Sequence, residues 1–489
     1  MLLLGLDIGS SSIKAKVIDS QTGSVIGSAV SPETEMEISS PFKNWAEQHP
    51  DLWWENVLNS LQILQNNFSI KLNQIGAIGI SYQMHGLVLV DKNLEALRPA
   101  IIWCDSRTAE TEKSILAKIP ADQFLRDHLN LPGNFTISKL VWVKENEPQI
   151  FEKVYKFCLP GDYIAMKLSG EMVTTNSGLS EGIFWNFQMQ SIDFNIIEKL
   201  ELDRNLIPAI KPTFGEQCGV SSKIAEITNL KEGTPITYRA GDQPNNALSL
   251  NVLNPGEVAA TAGTSGVVYG VSDKSECDHK SRVNTFIHVN NELGKTRNGI
   301  LMCLNGTGIQ YSWLKNKIIK IDSYGKMNKL AETTSIGSEG VRVYPFGNGA
   351  ERILENRNPG GRIEGLNFNR HSSAHLIRAA QEGIVFALKY GLDIMAELGV
   401  ETKIIRAGNS NMFQSKIFCE TFAGVTGASI ELYNTDGAQG AAIGAGIGIG
   451  IYSDIAEAFS SLKILETITP EKSTEQIYTD LYRSWLAGI

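Results

Sequence analysis

Two short runs in this chain combine a glycine with clustered hydroxyls: Asp7-Ile8-Gly9-Ser10-Ser11-Ser12 and Thr261-Ala262-Gly263-Thr264-Ser265-Gly266. Glycine lets backbone come close to an anion, and successive N–H groups and hydroxyls can then donate to phosphate oxygens. Asp7 closes an apolar run and could hold Mg²⁺ through water. Each run alone also reads as a polar hairpin turn. The occurrence of two, one in each half of the chain, points to a nucleotide. In Ala240-Gly241-Asp242-Gln243 a carboxylate stands at the end of an apolar segment. Such a position faces ligand in open α/β folds, and a carboxylate there can take a proton from an attacking hydroxyl. Asp242 also reads as a helix N-cap. Ser81-Tyr82-Gln83-Met84-His85-Gly86 packs an amide, a thioether and an imidazole into one loop. That mixture suits a polyol, although a buried histidine satisfying a loop carbonyl would give the same pattern.

Other chemistries find no support. Gly294-Lys295-Thr296 resembles the end of a P-loop, but Val289 stands where the first glycine is required. Gly444 to Gly450 misses the dinucleotide pattern because position 449 is Ile449. His371 and His375 lack the glutamate of H-E-x-x-H. Cys277 and His279 have no second pair to complete a zinc site.

The elements that must position these residues alternate between strand and helix. Leu2–Leu6 reads as a buried strand, and the alternation from Ile13 to Val17 as its hairpin partner. A helix is expected within Asn44 to Leu64, then strands at Ile75–Ser81 and Ala100–Cys104. Further strands are expected at Thr237–Gly241, Val258–Ala262, Val267–Val271 and Thr402–Ala407. Helices are expected at Asn245–Val252, His371–Leu398 and Asn411–Gly424. Such alternation predicts an α/β layered protein. The hairpin with its hydroxyl-rich turn recurs, which suggests a duplicated domain with a cleft between the copies. A hinge near residue 236 would part a first domain, 1–236, from a second, 237–489.

The 489 residues exceed one ordinary core, so two domains are the natural reading. With 42% apolar and 20% charged residues the chain reads as globular. A net charge of -9 gives no basic face for nucleic acid. The opening MLLLGLDIGS lacks a basic n-region, and Ala441–Tyr452 falls short of the roughly 20 residues that span a bilayer. Six scattered cysteines without C-x-x-C fit reduced thiols. The expectation is a cytoplasmic protein that uses neither membrane nor nucleic acid.

Taken in order, these segments resemble the FGGY carbohydrate kinases along nearly the whole chain. DIGSSSIKAKVID resembles the first phosphate hairpin of that family, and TAGTSG the second. GISYQMHG and AIIWCDSR resemble its sugar-site strands, and LPGDYIAMKLSGE a signature of its first domain. AGDQPNNA resembles its catalytic segment. RAAQEGIVFALKYGL resembles the helix before its adenosine segment, and GAQGAAIGAG its late small-residue helix. Two segments depart from the family pattern. Arg406-Ala407-Gly408-Asn409-Ser410-Asn411 stands where Gly-Gly-Ala is usual, and Gly349-Ala350-Glu351-Arg352-Ile353-Leu354 where Ser-Gly-Glu-Arg-Thr-Pro is usual.

The resemblance implies two ribonuclease-H-like domains, related to actin and Hsp70, closing on ATP and a sugar. It implies phosphoryl transfer from Mg-ATP to a terminal hydroxyl. Gln83-Met84-His85-Gly86 resembles the version found in kinases of ketopentoses, with D-xylulose first; the Arg-Glu pair of glycerol kinases is absent. Another ketose or polyol is the near alternative, and a non-catalytic actin-like nucleotide-binding protein the distant one. By this resemblance Asp242 is the catalytic base and Asp7 serves the metal-phosphate end, with Asp242 as a second carboxylate for the metal. Gln83, Met84, His85, Trp103 and Asp242 would contact sugar. Gly9, Ser10, Ser11, Ser12, Gly263, Thr264, Ser265, Gly306, Gln310, Gly408 and Asn411 would contact ATP and its phosphates. A homodimer is the assembly considered.

Overall fold

The computed structural model describes all 489 residues, Met1–Ile489. The chain forms two compact units. The first comprises Met1–Asn251, Phe286–Gly294 and Thr435–Leu462; the second comprises Val252–Thr285, Lys295–Asn434 and Lys463–Ile489. The sequence reading parted the chain after 236. Strand Pro235–Gly241, however, hydrogen-bonds into the first sheet and carries the helix after it into the first unit.

The first unit is built on a six-stranded sheet. Its strands are β1 (Leu2–Ile8), β2 (Ile13–Asp19), β3 (Val25–Ser31), β4 (Ile75–Tyr82), β5 (Phe214–Gly219) and β6 (Pro235–Gly241), in the order β5-β6-β4-β1-β2-β3. β1 pairs antiparallel with β2 and parallel with β4, and β4 pairs parallel with β6. Parallel strands buried on both faces read as continuous apolar runs, which is why Leu2–Leu6 and Ile75–Ile80 stood out.

One face of this sheet is covered by a helix from far along the chain, Gly437–Gly448. The approach is backbone to backbone. A Cβ on Gly5 would lie 1.9 Å from the Ala438 carbonyl oxygen, and one on Gly79 1.9 Å from that of Ala441. No real Cβ tolerates such contacts, so glycine is required on both strands. This closeness accounts for the small-residue run GAQGAAIGAG. Asp436 caps the helix through Gln439 N–H at 3.0 Å and pairs with Lys16 Nζ at 2.7 Å.

The second unit repeats the pattern. Its strands include β7 (Glu257–Ala262), β8 (Gly266–Ser272), β9 (Asn298–Leu304), β10 (Ile404–Gly408), β11 (Ser429–Tyr433) and β12 (Ile464–Ile468). Their order is β9-β8-β7-β10-β11-β12. β7 pairs antiparallel with β8 and parallel with β10, as β1 does with β2 and β4. The expected duplication is thus present as topology: a hairpin, then a parallel strand on its far side.

Several expected elements shift. The helix after Asn44 starts at Pro50, where proline fits the first turn and His49 caps it. The strand at 100 lasts only Ala100–Ile101 before the chain turns at Trp103. The expected helix 411–424 is a 3₁₀ turn, Asn411–Gln414, followed by a helix at Lys416–Thr426. Ser415 separates them, its hydroxyl donating to Gln381 Oε1 at 2.6 Å. The long helix Ser373–Glu397 forms as expected, and no helix of the chain is long and apolar enough to cross a membrane.

Candidate active site

In the first unit the carboxyl-terminal ends of β1, β4 and β6 meet. Asp7 pairs with Ser81 in the β1–β4 register, and Ala240 pairs with Ser81 in the β6–β4 register. Ser81 Oγ donates to Asp7 Oδ1 at 2.8 Å, while Lys14 Nζ stands 4.0 Å from Asp7 Oδ2. Burial nevertheless raises the Asp7 carboxyl above its usual range. The turn after Asp7 is closed by Gly9 N–H donating to the Ser12 carbonyl at 3.2 Å. The carbonyls of Ser10 and Ser11 are taken by Gln48 Nε2 and Met36 N–H, which leaves the turn held from its carbonyl side.

Asp242 is half-buried at the first turn of helix Asp242–Ser249. Burial and then the Asp7 charge push its carboxyl up to about 7, against hydrogen bonds from Gln243 that lower it. A carboxylate near neutrality is matched to accepting a proton at physiological pH. Beneath it lies a buried ion pair, Arg239 Nε to Asp162 Oδ1 at 3.0 Å. Asp162 also accepts from Leu159 N–H and Thr174 Oγ1. The signature LPGDYIAMKLSGE therefore anchors the strand that delivers Asp242.

The Gln83–Gly86 loop leaves β4 against this strand. A Cβ on Gly241 would lie 2.5 Å from Met84 Cγ and 2.6 Å from Glu181 Oε2, so glycine permits the loop to close on β6. Gln83 is 2% exposed and neither atom of its carboxamide has a partner within the protein. Buried amides are rarely left so, and a ligand is one way of satisfying them. His85 Nδ1 faces the Glu181 carbonyl at 3.1 Å and must be the N–H there. Phe135 packs edge-on to the His85 ring at 4.7 Å. Trp103 is exposed, its Nε1 donating to Ser10 Oγ at 3.3 Å.

In the second unit Gly263, Thr264 and Asn411 line one cavity of about 520 Å³, with Tyr311, Tyr324 and Asn328. Its floor is stitched by Gly308 N–H to the Gly263 carbonyl at 2.9 Å and Ile309 N–H to that of Thr264 at 3.0 Å. Gly306 and Gln310 fall elsewhere. They line a neighbouring cavity of about 420 Å³, with Trp313, Tyr344 and Arg362. Ser265 and Gly408 line neither cavity. Glu351, in the segment that departs from the family pattern, is buried and accepts from Asn305 N–H at 3.1 Å; burial pushes its carboxyl up to about 7.

Sequence reasoning placed Ser81 in the loop without seeing its bond to Asp7, and gave Glu181, Asp162 and Arg239 no individual part in this site. The signal was available for Arg239, a lone charge inside the strand Pro235–Gly241. Glu181 gave none, because its neighbours become visible only when helix Asn176–Glu181 packs.

A duplicated sheet with hydroxyl-rich hairpins and an acid at a strand end defines a phosphotransferase of the two-domain, actin-like sugar kinase class. Models of the FGGY family of carbohydrate kinases match the chain at residues 2–249 (N-terminal domain) and 258–449 (C-terminal domain). The chain belongs to this family. Its relatives include the xylulose kinase of Escherichia coli, 26% identical over 445 residues, covering 91% of this chain and 88% of that protein. The solved xylulose kinase from Rhodospirillum rubrum superposes with a TM-score of 0.88 at 24% identity, over 100% of this chain and 98% of the other. The gluconate kinase of Lactobacillus acidophilus reaches a TM-score of 0.90 at 20% identity, covering 99% and 97%. Likenesses at these identities establish the fold.

Proposed function

We propose that this carbohydrate kinase transfers the γ-phosphoryl group of ATP to the terminal hydroxyl of D-xylulose, giving D-xylulose 5-phosphate and ADP. The observation that carries this reading is Asp242, half-buried, held near neutrality, and adjacent in sequence to the Gly241 on which the Gln83–Gly86 loop packs. Asp242 takes the proton of the acceptor hydroxyl as its oxygen bonds to the γ-phosphorus. The bond to the bridging oxygen breaks and ADP leaves with that electron pair. His85 contacts one sugar hydroxyl, the Gln83 amide satisfies others, and Met84 and Trp103 supply apolar surface. The choice of D-xylulose rests on the relatives that carry that activity in their names.

Gly9 and Ser10–Ser12 would hold the transferred phosphoryl group through N–H and hydroxyl donors. Within the second unit, Gly263, Thr264 and Asn411 would contact the nucleotide in the cavity they line. Asp7 and Asp242 form an all-oxygen pair in which the charge of Asp7 raises Asp242, and Mg²⁺ fits such a pair. When bound, Mg²⁺ would neutralise phosphate charge; Asp7, through water, and Asp242 would hold it.

The test is ADP release from ATP across a panel of ketopentoses, gluconate, glycerol and deoxysugars. D-xylulose should give the highest kcat/KM. A higher value for gluconate or glycerol would transfer the assignment to that acceptor.

A further inference from the structure

Lys139 lies in helix Thr136–Asn146 and is fully buried, its side chain reaching under the loop that carries the expected sugar contacts. Its Nζ donates to the His85 carbonyl at 2.7 Å and to the Ile102 carbonyl at 3.1 Å. These carbonyls belong to the two segments that present His85 and Trp103. His85 itself adopts φ 61°, in the left-handed region that side chains other than glycine seldom occupy. Such a conformation persists only where surrounding contacts impose it. The ring is fixed at the same time by the Glu181 carbonyl and by Phe135.

A buried ammonium is expensive unless something requires it. Burial draws Lys139 down to about 7, opposed by the charges of Asp105 and Cys104 and, more weakly, of Glu181, with Arg107 adding to the lowering. Asp105 is itself buried and committed, accepting from Ala46 N–H and from Arg107. The Asp105 charge favours the ammonium from a distance, and the lysine spends its donors on the two loop carbonyls.

We propose that Lys139 is a positioning residue for sugar recognition, tying the His85 and Ile102 carbonyls together so that the His85 ring is held in its substrate-facing conformation. The inference rests on the proposed kinase function and deepens it. Lys139 touches neither ATP nor the reacting atoms; it acts through His85.

The test is steady-state kinetics of the full-length protein, with the sugar that the wild type phosphorylates best. Lys139→Met keeps the length and removes the donors. It should raise the sugar KM by about tenfold or more and leave the ATP KM within about twofold. Placed on His85→Ala it should add little, because the residue it acts through is gone. A Lys139→Met that raises both KM values alike, or whose effect multiplies in full with that of His85→Ala, overturns the inference. Should Lys139→Met yield no folded protein, Lys139→Gln, which retains an amide donor, is read by the same criteria. A wild type that phosphorylates no sugar sinks the proposed function and this inference together; an active wild type with an unaffected Lys139→Met sinks the inference alone.

Discussion

Ser81 Oγ donates a 2.8 Å hydrogen bond to Asp7 Oδ1, joining the parallel strands β1 and β4 side chain to side chain where both end. The hydroxyl steadies a carboxylate that burial would otherwise push further towards protonation. Ser81→Ala should therefore leave the fold intact and weaken the metal. The Mg²⁺ concentration for half-maximal ADP release is expected to rise by roughly three- to tenfold. An unchanged Mg²⁺ titration would remove Asp7 from the metal end.

Asp242 yields two coupled expectations. A general base contributes roughly 10²- to 10⁴-fold to rate, so in the proposed mechanism Asp242→Asn should lose turnover by that factor while staying folded. Burial and the Asp7 charge raise its folded-state pKa to about 7 from the ordinary 3.8. A raised carboxyl costs stability as pH climbs from its unfolded pKa to its folded one, because the unfolded chain releases the proton first. In ligand-free protein, Asp242→Asn should therefore gain melting temperature over wild type between about pH 4 and 7, and hold that gain above. A melting difference that does not change with pH would show that Asp242 is not strained by charge.

With the proposed sugar contact of His85, His85→Ala should cost about 1–3 kcal/mol, or roughly 5- to 150-fold in sugar affinity. Calorimetry should show ATP affinity nearly unchanged. Equal losses for both ligands would make His85 structural.

Gly263 has room for a Cβ without a clash: the nearest atom would be Asn411 Nδ2, at 3.7 Å, an ordinary contact. Gly263→Val is thus accommodated by the fold, and its methyls enter the cavity shared with Thr264 and Asn411. ATP affinity should fall at least tenfold or so, with the melting temperature little changed. Normal ATP binding by this variant would take the second hairpin out of nucleotide recognition.

Local pattern made the strands and hairpins legible. Residues 2–6 and 75–80 are an unbroken apolar run in each strand because both faces of the sheet are covered there, and Gly9 and Gly263 mark turns. What sequence concealed was association across distance. Helix Gly437–Gly448 packs on β1 and β4 although more than half the chain separates them. Its glycines announced close packing without naming the surface. Asp162 and Arg239, likewise, are a motif and an oddity until β6 brings them to 3.0 Å. Gly306 and Gln310 line the neighbouring cavity, because the helix Gly308–Trp313, which carries Gln310, lines one cavity with one side and the second cavity with the other.

The central claim is that a sugar hydroxyl, deprotonated by Asp242, receives the γ-phosphoryl group. The most direct measurement is phosphorus NMR of a reaction of ATP and D-xylulose with wild type and with Asp242→Asn. The account predicts a new phosphomonoester on the terminal carbon, formed in step with ADP by wild type and absent with the variant on the same timescale. Inorganic phosphate in place of a sugar phosphate, or equal sugar phosphate from both proteins, would contradict it.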